Sequence, residues 1–490
     1  MASFRGELRR HIIYRAAVAR GVVAWLLLCV GAAHAQDNSA YYTEPYQQKA
    51  LEIYRASIAY PTAIGHGRVP DLANYLADQF RAGGFADEDI HIFSFTMKNG
   101  EETAALVVRY RGDGSSNQKP ILLAAHMDVV VALPEDWERD PFTLIEEDGF
   151  FFGRGTLDNK LGATTLVATF LRLKAERFRP TRDLIISFSG DEETDWATTR
   201  ELVTTHRDLT DAEFALNSDG GGGTLNDSNE AISYSLQAAE KTYATFELTV
   251  RNPGGHSARP RPDNAIYELM DALKKIEAYR FPTRSNDITR QYFELTAKAR
   301  PGELGEAMRR FAANPDDQEA ADLLSGYPGY NGYTRTTCIT TMVRAGHAEN
   351  ALPQSATATV NCRIFPGVRV TDVQTRLRNV VENSEIEIRV LGNPVGSPAS
   401  PLRDDVVDAV TKAVHVIHPG IPIIPQMSSG ATDGMHIRAA GIPTYGVGGV
   451  FMREDDRFSH GLNERVPVRA FYDALEIWHI LLVELTGPQS

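Results

Sequence analysis

The chain has 490 residues, 43% of them hydrophobic and 23% charged, with a formal net charge of −14 at pH 7. That composition is globular, and the length exceeds what one simple core holds, so two domains are expected. Acidic residues spread along the chain argue against nucleic acid as a partner, because phosphate binding needs clustered Lys and Arg.

The first 35 residues read as an export signal. Arg5, Arg9, Arg10, Arg15 and Arg20 precede the apolar run Gly21 to Ala33, and Ala33-His34-Ala35 puts small residues at −3 and −1 of a cleavage point before Gln36. The run is shorter than the roughly 20 residues of a membrane span. Cleavage is therefore favoured over anchoring, and a periplasmic or secreted protein without a membrane span is expected.

Beyond the signal, short apolar runs alternate with helical patterns, as in βα units around a mostly parallel sheet. Pro120 to Val130 predicts a buried strand ending in polar residues, and a helix follows over roughly Lys160 to Glu176. Asp183 to Glu193 and Glu213 to Gly220 predict further strands of the same kind. From Lys241 the pattern changes. Lys241 to Val250, Thr334 to Val343, Ser355 to Phe365 and Glu385 to Gly392 alternate polar and apolar residues, as half-exposed antiparallel strands do. Helices are predicted near Asn264 to Ile276 and Val370 to Val381, giving the order βαββαβ. Residues 283–332, rich in charge, Gly and Pro, read as a helical insertion. From about Pro401 the first pattern returns, with a strand at Ile442 to Val450. The fold class is therefore α/β, with a main domain in two pieces (36–240 and 393–490) around an inserted α+β domain (241–392). Cys338 and Cys362 lie in strand-like segments that could be neighbours. A disulfide and two buried thiols both remain open, and neither cysteine has zinc-site spacing.

The chemistry-bearing residues cluster by position. His126 and Asp128 follow the first buried strand. Asp191, Glu192 and Glu193 follow the second, and Asp219 the third. Asp158 opens the Lys160 helix, and His460 lies on the loop after the fourth strand. In open α/β sheets ligands bind at that edge. Imidazoles with several carboxylates suit zinc. A bridging carboxylate can hold two ions about 3.5–4 Å apart and make water acidic near neutral pH. A Glu that is not a ligand can then move the proton. Each feature alone has a plainer reading: a loop His, a solvated acidic loop, an acidic residue favoured at a helix start.

Together, AHMDVV, GRGTLDNKLG, SGDEE, LNSDGG, GGHSARP and SHGLNE resemble, in order, the dizinc peptidases that include aminoacylases, carnosinases, carboxypeptidase G, carboxypeptidase S and succinyl-diaminopimelate desuccinylase. The resemblance spans roughly residues 45–485. It implies two Zn²⁺ per subunit, with Co²⁺ or Mn²⁺ as substitutes. His126 and Asp219 would bind one ion, Glu193 and His460 the other, and Asp158 would bridge. Glu192 would be the general base and Asp128 would orient His126. The Asp158–Asn159 peptide would be cis. The inserted domain would be a lid and dimerisation domain. Its His256 would reach the active site of a partner subunit in a homodimer, and Arg363 and Asn350 would bind the substrate's carboxylate or oxyanion. GATDG (Gly430 to Gly434) matches a loop near the substrate. The insertion and the stretch around GRGTLD look most like the carboxypeptidase S branch. The activity implied is hydrolysis of a peptide or N-acyl amino acid beside a free carboxylate. A dizinc aminopeptidase, which lacks the inserted block, and a binding protein on a retired hydrolase fold are the alternatives.

Overall fold

A computed structural model describes residues 44–488, so the export-signal reading lies outside the described residues. Among the described residues no helix is long and apolar enough to cross a membrane.

A ten-stranded sheet forms the centre. Ile121–His126, Leu184–Ser189 and Phe214–Asn217 are buried along their whole length. They pair in parallel, and Thr444–Gly446 continues the parallel run beside Phe214–Asn217. Such strands must be apolar throughout because both faces are covered. Glu102–Tyr110 and Ile90–Thr96 extend one side antiparallel. Ala231–Glu240, Gly222–Leu225, Phe451–Arg453 and Ile423–Ser428 complete the other. Helix Lys160–Ala175 is buried over most of its length, and its Leu166 and Phe170 share a core with Ile121, Leu123 and Trp478. This is the mixed, centrally parallel α/β fold expected.

A separate four-stranded antiparallel sheet is ordered Thr337–Ala345, Ser355–Ile364, Thr242–Arg251, Glu387–Leu391. In Ser355–Ile364 every second residue from Ala356 to Ile364 is buried. Those residues and Phe246 meet Leu269 and Ile276 of helix Ala265–Ala278 and Leu377 of helix Val370–Val381. The first of these helices is started by Asn264, whose side chain accepts from the Ile266 N–H. Among the described residues the opposite face of the sheet carries no such helix pair, which explains the alternation in the sequence. Cys338 stands opposite Cys362 in the register, and the two are joined by a disulfide. Of the two cysteine readings, the bonded one holds.

The chain passes from the central sheet to the second one through one residue, Lys241, between Glu240 and Thr242. Residues 287–334 form four helices, Asp287–Thr296, Glu303–Ala313, Gln318–Ser325 and Pro328–Thr334. Their apolar residues Phe293, Met308, Phe311 and Leu324 pack in the cluster that includes Met427 of the central sheet, and not in the core of the second sheet.

Candidate metal centre

The parallel strands end side by side and deliver the cluster. His126 is the last residue of its strand, Glu192 and Glu193 follow Ser189, and Asp219 follows Asn217. Asp158 stands two residues before helix Lys160–Ala175, and His460, with φ of 64°, lies between Phe451–Arg453 and Arg465–Pro467. His126 Nε2 is 2.9 Å from Asp158 Oδ1 and 3.9 Å from Asp219 Oδ2. His460 Nε2 is 2.9 Å from Glu193 Oε1 and 3.2 Å from Asp158 Oδ2. The two oxygens of Asp158 therefore face two different imidazoles. One ligand atom each from His126, Asp158 and Glu193 lies within 4.8 Å of the others, close enough to share an ion.

The protonation pattern suits a cation. His126 Nδ1 is 3.0 Å from the Asp128 carbonyl oxygen. That oxygen can only accept, so Nδ1 carries a hydrogen, and Nε2 is the ring atom turned toward the carboxylates. Burial draws the His126 imidazole down, but its contacts with Asp128 and Asp158 prevail and hold it well above the usual histidine range. Hydrogen bonds to Asp158 and Glu193 push His460 up to about 10. Burial alone would raise Asp158, yet the two histidines prevail and hold it well below the usual carboxylate range. Glu192 and Asp219 are pushed well above that range, chiefly by burial, with neighbouring carboxylates adding to the effect. The carboxylates outnumber the imidazoles, and a divalent cation between them would relieve the repulsion. The donor set, nitrogen and carboxylate oxygen, fits zinc and its substitutes.

The supporting residues were only partly legible from sequence. The Asp128 carboxylate accepts from the Glu192 N–H at 3.1 Å and the Glu193 N–H at 3.0 Å, and stands 3.4 Å from His126 Nδ1. It thus fixes the second strand's loop as well as facing His126. Asp191 is turned away from the cluster: it accepts from the N–H groups of Ala197 and Thr198, starting the helix Ala197–Thr204. Sequence reasoning missed Glu464. Fully buried, it accepts from the N–H groups of Leu157 at 2.7 Å and Asp158 at 3.0 Å and pairs with buried Arg154. The signal was present, since Arg154 lies in GRGTLDNK and Glu464 closes SHGLNE. The Asp158–Asn159 peptide is cis. Asn159 accepts from the Ser218 hydroxyl at 2.9 Å. A Cβ on Gly162 would fall 2.3 Å from both Asn159 Oδ1 and Ser218 Oγ, so only glycine lets the helix start this close to the third strand.

The remaining candidates lie on the second sheet. His256 sits exposed on a two-residue strand, where its Nδ1 accepts from the Ala258 N–H. The Asn350 carbonyl accepts from the Ser257 N–H, so Asn350 neighbours His256. Among the described residues no hydrogen bond or ion pair joins either to the cluster. Arg363 is half-buried on the helix-free face and donates to the Ser429 carbonyl at 2.8 Å, next to the 430–434 loop.

Residues 122–484 match the model of Peptidase family M20/M25/M40. The chain belongs to this family. It is 28% identical over 401 residues to the N-fatty-acyl-amino acid synthase/hydrolase PM20D1 of Xenopus tropicalis, covering 80% of this chain and 78% of the relative. It is 26% identical to a carboxypeptidase S-like protein of Dictyostelium discoideum, covering 77% and 74%. The structure superposes on an M20 family metallo-carboxypeptidase from Sulfolobus solfataricus with a TM-score of 0.65 at 17% identity, covering 89% of this chain and 99% of that one. The protein is thus an M20 hydrolase of amide bonds, of the peptidase or N-acyl amino acid hydrolase type.

Glu464→Ala strands the Arg154 guanidinium in the core and removes two N–H acceptors. The expected loss is about 3–5 kcal/mol of unfolding free energy. Urea denaturation of the purified variant checks it, and a loss under about 1 kcal/mol would remove Glu464 from this supporting role.

Proposed function

We propose that the protein is a dizinc hydrolase that cuts the amide bond beside a free carboxylate in peptides or N-acyl amino acids. The observation that carries this reading is Asp158, whose two oxygens face His126 on one side and His460 on the other. In this reading His126 and Asp219 would hold one ion, Glu193 and His460 the second, with Asp158 shared between the two sites. When bound, such a pair supplies Lewis acidity and brings the pKa of water to about 7. Glu192, buried beside the cluster and outside the ligand set, accepts the proton of the attacking water and returns it to the departing amine. Arg363 takes the substrate carboxylate through its planar fork, with Asn350 near the oxyanion. The acyl amino acid and carboxypeptidase names of the relatives agree with that substrate class.

His256 has no partner in the cluster of its own chain, and we assign it to the site of a second copy, where it would stabilise the developing oxyanion. Strand Thr337–Ala345 forms one edge of the second sheet and exposes Ile339 (68%), Met342 (49%) and Val343 (47%). An apolar, unpaired edge of this kind is suited to self-pairing.

Removal of metal by a chelator is expected to abolish amide hydrolysis, and Zn²⁺ or Co²⁺ to restore it; full activity after exhaustive chelation would refute the metal reading. Glu192→Gln is expected to retain metal by mass analysis and to lose at least roughly 100-fold in turnover. Near-normal turnover would transfer the proton role elsewhere. Light scattering of the wild type is expected to give a dimer, and Met342→Lys a less active monomer. A fully active wild-type monomer would remove His256 from the mechanism.

A further inference from the structure

A cavity lies beside Arg363 and Ser429. Its volume is about 830 Å³, within the range of small-molecule sites. Met270, Leu273 and Ile276 of helix Ala265–Ala278 form one wall, and Pro328 and Tyr333 of the insertion's last helix form another, with Met427 between them. Arg363 and Lys241 also line it.

These two cations have no acidic partner among the described residues. The Lys241 Nζ donates to the Arg335 carbonyl at 2.8 Å and lies 3.4 Å from the Thr337 hydroxyl. Neighbouring Glu240 is turned away, bound to Arg438, Gln237 and Thr432. The Arg363 guanidinium lies over the Tyr243 ring at 4.7 Å. Glu277, the acid at the rim, is paired with Lys274. Burial, with the charge of Arg363 adding, draws Lys241 down to about 7. A half-buried guanidinium and a buried lysine beside an apolar chamber suit an anion that carries an apolar group.

Hydrogen bonds link the chamber's wall to the cluster. Arg363 holds the Ser429 carbonyl, while Thr432, three residues on, accepts from the Asn217 side chain, and Asn217 Oδ1 in turn accepts from the Asp219 N–H. In an amino acid the carboxylate, the nitrogen and the side chain branch from one carbon. A carboxylate held at Arg363 therefore brings its own side chain to the adjoining space.

We propose that this cavity receives an apolar side chain of the leaving amino acid, with Lys241 joining Arg363 on its carboxylate. The assignment rests on the hydrolase reading given above. The insertion then acts as a specificity element, because its last helix walls the cavity. At Gly332 in that helix a Cβ would lie 3.6 Å from Lys241 Nζ, so a large residue there grows into the chamber without meeting backbone.

The test is steady-state kinetics of the zinc-replete protein on N-acetyl-Phe, N-acetyl-Leu, N-acetyl-Gly and N-acetyl-Asp, with a second series varying acyl length on Phe. The expected kcat/KM for N-acetyl-Phe exceeds that for N-acetyl-Gly on the order of 100-fold. In Gly332→Phe that ratio should fall at least roughly 10-fold, with little dependence on acyl length. Lys241→Met should raise KM for N-acetyl-Phe roughly 10-fold with a smaller change in kcat, and Lys241→Arg should recover much of the loss. Equal rates across side chains, or an unchanged ratio in Gly332→Phe, overturn the cavity assignment and leave the hydrolase reading intact. A Gly332→Phe penalty that follows acyl length gives the cavity to the acyl arm and likewise overturns it. An unchanged KM in folded Lys241→Met removes Lys241. No hydrolysis of any carboxylate substrate overturns the hydrolase reading and the cavity assignment together.

Discussion

Charge crowding at one sheet edge is the constraint on which the rest depends. Asp158, Glu192, Glu193 and Asp219 stand together at this edge, and among the described residues His126 and His460 face them. Burial of like charges is costly unless each is paired or bound to a cation. The opposite displacements of Asp158, held low by its histidines, and Asp219, pushed high by burial and by Asp158, express that imbalance. A fold that assembles such a cluster must hold its backbone rigidly, and two buried acids serve this end. Asp128 ties the His126 strand to the Glu192–Glu193 loop. Glu464 ties the His460 loop to the backbone of Leu157 and Asp158. Both bind backbone N–H groups, so each spends its charge on geometry rather than on the ions.

The second sheet is coupled to this edge through very little chain. Glu240 is fixed by Arg438, Gln237 and Thr432, and Lys241 is fixed at its own N–H by the Ser428 carbonyl at 2.9 Å. The segment from Ser428 to Asp433 therefore touches both sheets. Asp433 ends it by accepting from the hydroxyls of Ser189 and Thr199, beside the loop that carries Glu192. Arg363 and Glu192, the residues proposed for carboxylate binding and proton transfer, are thus referred to one short stretch of backbone.

Much of this was legible in the residue pattern. Apolar runs long enough to span a buried strand gave away Ile121–His126, Leu184–Ser189 and Phe214–Asn217, and polar residues at their ends gave away the cluster. Alternation marked the second sheet because only one of its faces is packed. Gly222–Leu225 and Phe451–Arg453 escaped, being short and bordered by glycines that carry no periodicity. Glu464 escaped because a carboxylate near a ligand His looks the same in sequence whether it binds a metal or a backbone amide. Asp191, which was given no role from sequence, stands beside the cluster residues but accepts from the first N–H groups of a helix. The cysteines stayed ambiguous because pairing depends on register, and register is a property of two strands rather than of either alone.

The insertion shows where sequence pattern stops and packing takes over. Its helices are amphipathic, which says that an apolar face exists but not which core receives it. Phe293, Met308 and Phe311 turn to the core that includes Met427, although the segment interrupts the sequence of the second sheet. The Tyr333 hydroxyl is bonded to Gln426 and to the Met427 backbone on that same side. The insertion is consequently braced on the rigid sheet that holds the cluster, and its last helix is held at a fixed distance from Lys241. Substitutions along that helix can then reshape the space beside Arg363 without moving His126, Asp158 or Asp219, whose positions are set by strand ends and by Glu464 on other elements.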